Sequence, residues 1–106
     1  MIEKFEDLIA WQKARILAIE INQIVKKSGF TKDFMLIDQI IRSSRSITAN
    51  IAEGYGRYTY NDYKHFLTIA RGSLTKTQNH LYTAFDLGYI TEEEFQKKKA
   101  ELLSRL

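Results

Sequence analysis

A chain of 106 residues that is 44% hydrophobic and 27% charged has room for one core; without cysteine it has no disulfides, thiolate metal sites or cysteine nucleophiles and relies on packing or self-association. The apolar content excludes a disordered chain, while the absence of proline and a total of five glycines exclude the turn-rich sandwiches and barrels and favour long helices. A net charge of +3 and a pI near 9.2 permit an anionic partner; the acidic start has no apolar signal core and no stretch approaches the ~18 apolar residues of a membrane span, so a cytoplasmic protein, neither exported nor embedded, is expected.

Punctuation predicts four helices, about 7–28, 33–56, 60–87 and 92–105, in one domain over 1–106. Asp7 precedes an apolar pattern spaced by threes and fours (Leu8, Trp11, Ala14, Leu17, Ala18, Ile21, Ile24, Val25), and Ser28-Gly29 stands where a helix stops. Thr31-Lys32-Asp33 offers an N-cap with an acid in the first turn. Phe34, Ile37, Ile40, Ile41, Ser44, Ile47, Ile51 and Tyr55 then carry the period to Gly54-Tyr55-Gly56. Thr59-Tyr60-Asn61-Asp62 is a capping box with Asp for Glu. It opens a face of Tyr63, Phe66, Ala70, Ser73, Leu74, Thr77, Leu81, Ala84 and Phe85, closed by Leu87-Gly88. Thr91-Glu92-Glu93-Glu94 is a full capping box, followed by the i,i+4 pairs Glu94–Lys98 and Glu101–Arg105. Short connections between long helices force neighbours to alternate in direction, which gives an all-α, antiparallel up-down-up-down four-helix bundle. The expected core is Leu17, Ile21, Ile37, Ile40, Ser44, Ile47, Ile51, Phe66, Ala70, Leu74 and Leu81, and the short fourth helix leaves some apolar surface uncovered.

Enzyme chemistry finds little to build on. His65 and His80 are separated by ~22 Å of helix and cannot share a metal; His65 reads as a solvated surface partner of Asp62, and His80 as a hydrogen-bonded histidine at a helix interface. Gly54-Tyr55-Gly56 ends a helix rather than following a strand, and Thr59 occupies the place of the third glycine of the dinucleotide fingerprint, so a glycine C-cap accounts for both glycines. Ser43, Ser44, Ser46 and Ser73 have no general base at a local spacing, and a hydrolase built on Glu53 and a serine lacks a supporting base or metal. No catalytic residues, metal or cofactor are assigned.

The second helix carries a second face. Gln39, Ser43, Ser46, Asn50, Glu53 and Arg57 fall near one line, distinct from the line of isoleucines, and Arg42 and Arg45 share a third, most exposed sector with Asp38 and Ala49. Small uncharged polar groups beside a core have two explanations of equal standing: hydrogen bonds inside the bundle to the first and third helices, or a subunit interface. Gly72-Ser73 in mid-helix points to close approach of another backbone, ahead of a tolerated surface glycine, because an exposed mid-helix glycine costs ~1 kcal/mol relative to alanine and Ser73 lies on the apolar face. The segment Tyr55 to Phe66 interleaves Tyr58 and Tyr60 with Arg57 and Lys64, the ingredients that stack bases and hold phosphates, although tyrosines at a bundle end more often bury their rings and leave the hydroxyl wet. Charge is even along the chain, so a basic surface must be assembled in three dimensions, most simply by repeating Arg42 and Arg45 around an oligomer.

The strings Gln39-Ile40-Ile41-Arg42, Ser46-Ile47-Thr48-Ala49-Asn50-Ile51-Ala52-Glu53-Gly54-Tyr55-Gly56-Arg57 and Phe66-Leu67-Thr68-Ile69-Ala70-Arg71-Gly72-Ser73-Leu74, with Phe5-Glu6-Asp7-Leu8-Ile9-Ala10-Trp11-Gln12-Lys13-Ala14 and Leu87-Gly88-Tyr89-Ile90, resemble the four-helix-bundle family of 23S rRNA intervening-sequence proteins over nearly the whole chain. The resemblance implies an antiparallel bundle assembled as a homopentamer, in bacteria, with relatives that serve reverse transcriptases of diversity-generating retroelements and engage nucleic acid through a basic ring. Thr31, Thr48 and Lys76 depart from the family pattern, and Lys76 reverses a charge.

The expected function is therefore a non-enzymatic oligomeric scaffold that binds RNA or DNA. Arg42, Arg45, Arg57, Lys64, Tyr58 and Tyr60 are the nucleic-acid candidates, and Gln39, Ser43, Ser46, Asn50, Glu53, Gly72 and Ser73 form the oligomer or inter-helix stripe. The alternative is an interaction module that docks a partner protein, such as a reverse transcriptase, with nucleic-acid binding incidental to the basic pI.

Overall fold

The computed structural model describes residues 3–27 and 29–103, which form four helices: α1 (Ile9–Ile24), α2 (Phe34–Tyr55), α3 (Tyr60–Asp86) and α4 (Glu92–Leu103). Among these residues there is no strand, and the fold is all-α, as the periodicity predicts.

The helix ends follow local chemistry, with differences from the predicted bounds. The first helix begins later than residue 7, because Phe5–Asp7 form a 3₁₀ turn and Leu8 is extended; the Gln12 side chain donates to the Glu6 carbonyl (3.0 Å), and Trp11 meets the Phe5 ring edge-on at 5.1 Å. It also ends earlier, at Ile24, where Lys26 N–H and Lys27 N–H tighten onto the carbonyls of Gln23 and Ile24. Ser28, the predicted stop, and the predicted end of the fourth helix at 105 lie outside the described residues. Asp33, not Thr31, caps α2: its Oδ1 accepts from Leu36 N–H (3.1 Å), while its Oδ2 accepts from the Tyr89 hydroxyl (2.9 Å). One carboxylate thus fixes the start of α2 and ties it to the α3–α4 turn. Thr59 Oγ1 accepts from Asp62 N–H (3.1 Å), and the Thr91–Glu94 capping box closes in both directions, at 2.9 and 3.1 Å. Gly88, past the end of α3, has φ +78°, a left-handed turn that favours glycine.

The α2–α3 pair is the principal contact of the molecule, with α1 laid on α2 and α4 on α3. Their register is antiparallel. Gly54 lies against Phe66, Ser46 bonds Ser73, and Ser43 bonds Thr77, so one index rises as the other falls. Of the expected core residues, Leu17, Ile21, Ile40, Ser44, Ile47, Ile51, Ala70, Leu74 and Leu81 are buried, whereas Ile37 and Phe66 are half-buried at its margin. Phe34, which continues the apolar period in sequence, is 78% exposed because it sits at the first residue of α2, beyond the reach of its neighbours.

The connections add what periodicity did not offer. Phe30 is fully buried and lies 5.1 Å from the Tyr89 ring, Ile90 is buried, and Phe95 stacks on Phe85 (4.8 Å) and meets Tyr82 edge-on (4.6 Å), which fastens α4 to α3. The α4 helix is further tied to the α1 side by Lys27–Glu94 and Lys98–Glu20 ion pairs. The side chains of the expected Glu101–Arg105 pair lie outside the described part. Some apolar surface is uncovered: Ile9, Ile16 and Ile19 lie on the side of α1 away from Leu17 and Ile21, and Met35 beside Phe34 is exposed. The molecule measures 44 × 22 × 17 Å.

Candidate nucleic-acid interface

Helical spacing puts Asp38, Arg42 and Arg45 on the solvent side of α2, and all three are exposed. Arg42 Nε donates to both Asp38 oxygens (2.9 and 3.0 Å), an i,i+4 pair that leaves the terminal guanidinium nitrogens available. Arg45 makes no ion pair among the described residues.

A second basic group lies at the α2–α3 turn. Arg57 Nη2 donates to Glu53 (2.8 Å), and its guanidinium carbon stands 4.8 Å from the centroid of the Phe66 ring. Tyr58 is 104% and Tyr60 77% exposed, and Lys64 is exposed one turn into α3. The expectation that these tyrosines bury their rings fails for a local reason: residues 57–59 form the turn itself, and Tyr60 starts α3 before that helix reaches its partner. Whole rings are therefore presented to solvent beside two cations. His65 is exposed too, its edge against Phe66 at 5.4 Å. About 15 Å of helix separates Arg45 from the end of α2, so one protomer does not gather the two groups into one patch.

The polar stripe divides. Ser73 Oγ and Ser46 Oγ are 2.8 Å apart, Asn50 Nδ2 donates to Ser46 Oγ (2.9 Å) and to its carbonyl (2.8 Å), and Thr77 Oγ1 is 2.8 Å from the buried Ser43 Oγ. The two hydroxyl pairs hold α2 to α3 within the chain, Asn50 braces Ser46 along α2, and the small side chains permit that approach. Gln39, Glu53 and Gly72 remain on the surface. A Cβ added at Gly72 would meet nothing within 4 Å, so the close backbone approach expected there does not occur within the protomer. It occurs at Gly54, where a Cβ would come within 2.9 Å of Phe66 Cβ. Gly54 is a buried contact residue of α2 rather than part of the cap, and Gly56 alone follows the helix, in a right-handed conformation.

Sequence reasoning did not find the cleft that opens above this seam. It has a volume of about 380 Å³ and is lined by Gln39, Arg42, Ser43 and Ser46 from α2 and Ser73, Lys76 and His80 from α3. Its signal was present, since Ser73, Lys76 and His80 repeat at three and four residues along one face. His80 departs from the expected hydrogen-bonded histidine: its Nε2 is buried without a partner among the described residues. Burial, and secondarily the Lys76 charge, hold the imidazole below its ordinary pKa. Among the described residues no three His, Asp or Glu side chains gather as a metal site, and no helix is long and apolar enough to cross a membrane.

The model of the 23S rRNA-intervening sequence protein family matches residues 6–105. The chain belongs to that family. No match is found among curated proteins. The matched span takes in all four α-helices, together with both basic groups and the cleft.

Proposed function

We infer that this member of the 23S rRNA-intervening sequence protein family is a non-enzymatic helical scaffold that assembles as a homopentamer and binds RNA or DNA through phosphate contacts. The observation that carries the reading is the pair of solvent-exposed rings Tyr58 and Tyr60 between Arg57 and Lys64, a stacking platform flanked by cations that the fold does not use for its own core. Assembly is supported by the uncovered Ile9, Ile16 and Ile19 stripe, a surface whose burial against another copy is favourable. Five copies at +3 each would carry roughly +15, and repeated Arg45 side chains, with the terminal nitrogens that Arg42 keeps beyond its pair with Asp38, would add their contacts over a ring-sized anionic footprint.

Electrophoretic mobility shift at ~50 and ~200 mM salt tests this, because phosphate contacts lose affinity steeply with salt. Replacing Arg42 and Arg45 by Gln is expected to weaken binding alike across sequences and to lower the salt dependence, since such contacts carry position rather than sequence information. Absence of any shift at the lower salt would favour a second reading, docking of a partner protein, for which the exposed Phe34 and Met35 at the start of α2 are the anchors.

A further inference from the structure

The cleft between α2 and α3 has a composition that structural packing does not require. Two cations, Arg42 and Lys76, stand on its opposite walls, and among the described residues no carboxylate lines it. Asp38 engages only the Nε edge of Arg42, so the terminal nitrogens still have hydrogens to donate, and Lys76 has no ion pair among the described residues. At its floor the Ser46 and Ser73 hydroxyls share one hydrogen bond and Asn50 donates to Ser46, which leaves one hydroxyl proton of that pair without an acceptor among the described residues. His80 Nε2, also at the cleft, is buried and unpartnered. A buried polar atom without a partner is costly, and donors converging from two walls and a floor supply a common acceptor site.

We propose that this cleft is a binding site for a phosphoryl group, held by Arg42 and Lys76 from opposite walls and by a hydroxyl of the Ser46–Ser73 pair from below, with the His80 side chain lining its edge. The absence of a lining carboxylate disfavours a cation. Donors from three sides suit a tetrahedral anion better than a planar carboxylate. About 380 Å³ exceeds a phosphoryl group and leaves room for what it is attached to, either a nucleoside or the next residues of a nucleic-acid strand. The charged groups that line the cleft with His80 are Arg42 on α2, paired with Asp38, and Lys76 on α3; burial first and the Lys76 charge second hold the imidazole below its ordinary pKa, and a dianion entering beside it would raise that pKa. The site shares Arg42 with the nucleic-acid reading, whereas Lys76 and His80 are separate from Arg45 and from the Tyr58–Tyr60 platform.

The two imidazoles give a built-in comparison, since exposed His65 senses bulk conditions and His80 the cleft. Intact protein is titrated with inorganic phosphate, with a 5′-mononucleotide, and with a short oligonucleotide that has no terminal phosphate, and both histidines are followed by NMR. The expected result is a saturable shift of His80 and a rise in its pKa with His65 unmoved. Lys76→Gln should weaken this by tenfold or more, the loss of one charge-assisted hydrogen bond, and Lys26→Gln, an equal charge change at a distance, should leave it intact. Response to the monoesters alone identifies a free phosphate or nucleotide, and response to the oligonucleotide identifies a backbone phosphate; either supports the site. If His80 shifts no more than His65 with all three probes, or if the shift survives Lys76→Gln unchanged, the proposal fails. It fails equally if His80 is already protonated in the assembled protein and indifferent to phosphate, as a neighbouring copy's carboxylate in the cleft would make it. Loss of mobility shift in Arg45→Gln with the phosphate response retained would keep this site separate from the scaffold reading.

Discussion

Two glycines that look alike in sequence should respond to alanine with opposite signs. Gly54 and Gly72 both lie inside helices, where replacing glycine by alanine gains ~1 kcal/mol from backbone entropy and helix propensity. At Gly72 nothing opposes that gain, because the added methyl would point into open space. At Gly54 the new Cβ would lie 2.9 Å from Phe66 Cβ, 3.1 Å from Tyr63 Cδ1 and 3.3 Å from the Tyr63 carbonyl oxygen. Carbon atoms pack at ~3.5–4.0 Å, and neither the Phe66 Cβ nor the Tyr63 carbonyl is the free end of a flexible chain, so α2 and α3 must separate at this end. Overpacking of this kind costs ~1–3 kcal/mol, enough to reverse the helix gain.

The expected outcomes are Gly72→Ala more stable by ~1 kcal/mol and Gly54→Ala less stable by up to ~2 kcal/mol. In a domain of this size each kcal/mol moves Tm by ~4–8 °C. Urea unfolding followed by far-ultraviolet circular dichroism measures both, at one fixed protein concentration, because self-association makes apparent stability depend on concentration. Gly54→Ala at least as stable as the unmodified protein would refute the α2–α3 approach described above. Gly72→Ala that loses both stability and assembly would mean that a second copy's backbone closes on Gly72, which reopens the interface explanation for that residue alone.

Thr77→Val and Ser43→Ala should each cost ~1 kcal/mol, and their double-mutant cycle should show coupling of at least ~0.5 kcal/mol, since the two hydroxyls meet in the buried seam; strict additivity would argue against that bond. Asp33→Ala removes both the α2 cap and the acceptor for Tyr89, so it should destabilise more than Tyr89→Phe, which removes the second alone; equal effects in urea would show that the cap contributes nothing. The folded-state pKa of His80 lies below its unfolded value of ~6.5, so in phosphate-free buffer its contribution to stability is complete above that pH and is lost as pH falls from there through the lowered folded value. His80→Gln should flatten this acid-side decline, and an unchanged slope would assign it to other groups.

The helices and most of the core were legible because long segments repeat apolar residues by threes and fours, and Ile40, Ile47, Ile51, Leu74 and Leu81 have one way to face inward together. Phe30, Ile90 and Phe95 were not, since the first two lie in connections and the third in a charge-rich short helix, where no period distinguishes a buried ring from an exposed one. The serine stripe was visible as an anomaly, but its partner was not. Hydroxyls can satisfy a neighbouring helix or a neighbouring subunit with the same chemistry, and only the α2–α3 register, with Ser46 opposite Ser73 and Ser43 opposite Thr77, decides for these residues. The cleft needed that register as well. Lys76 and His80 belong to α3 and Arg42 to α2, and no spacing within one helix brings them together.

The same ion pairs that order the surface also rank the candidate cations. Arg42 and Arg57 each hold an acid four residues earlier, Asp38 and Glu53, so the local charge around each is close to zero. For a phosphate to use Arg57 fully it must compete with a carboxylate at 2.8 Å and draw the guanidinium off the Phe66 ring, whereas Arg45 and Lys64 have no ion pair among the described residues to give up. Each cation that neutralises a phosphate contributes ~0.9 to the slope of log K against log salt for duplex DNA, and one already neutralised by a neighbouring carboxylate contributes less. Arg45→Gln and Lys64→Gln should therefore each lower that slope more than Arg57→Gln does, while Glu53→Gln, which frees Arg57, should raise both affinity and slope. Measuring K at four salt concentrations for these variants decides the point. If Arg57→Gln proves the most damaging and Glu53→Gln is silent, Arg57 acts through its place beside the Tyr58 and Tyr60 rings rather than through its charge, and stacking rather than phosphate neutralisation would dominate the interface.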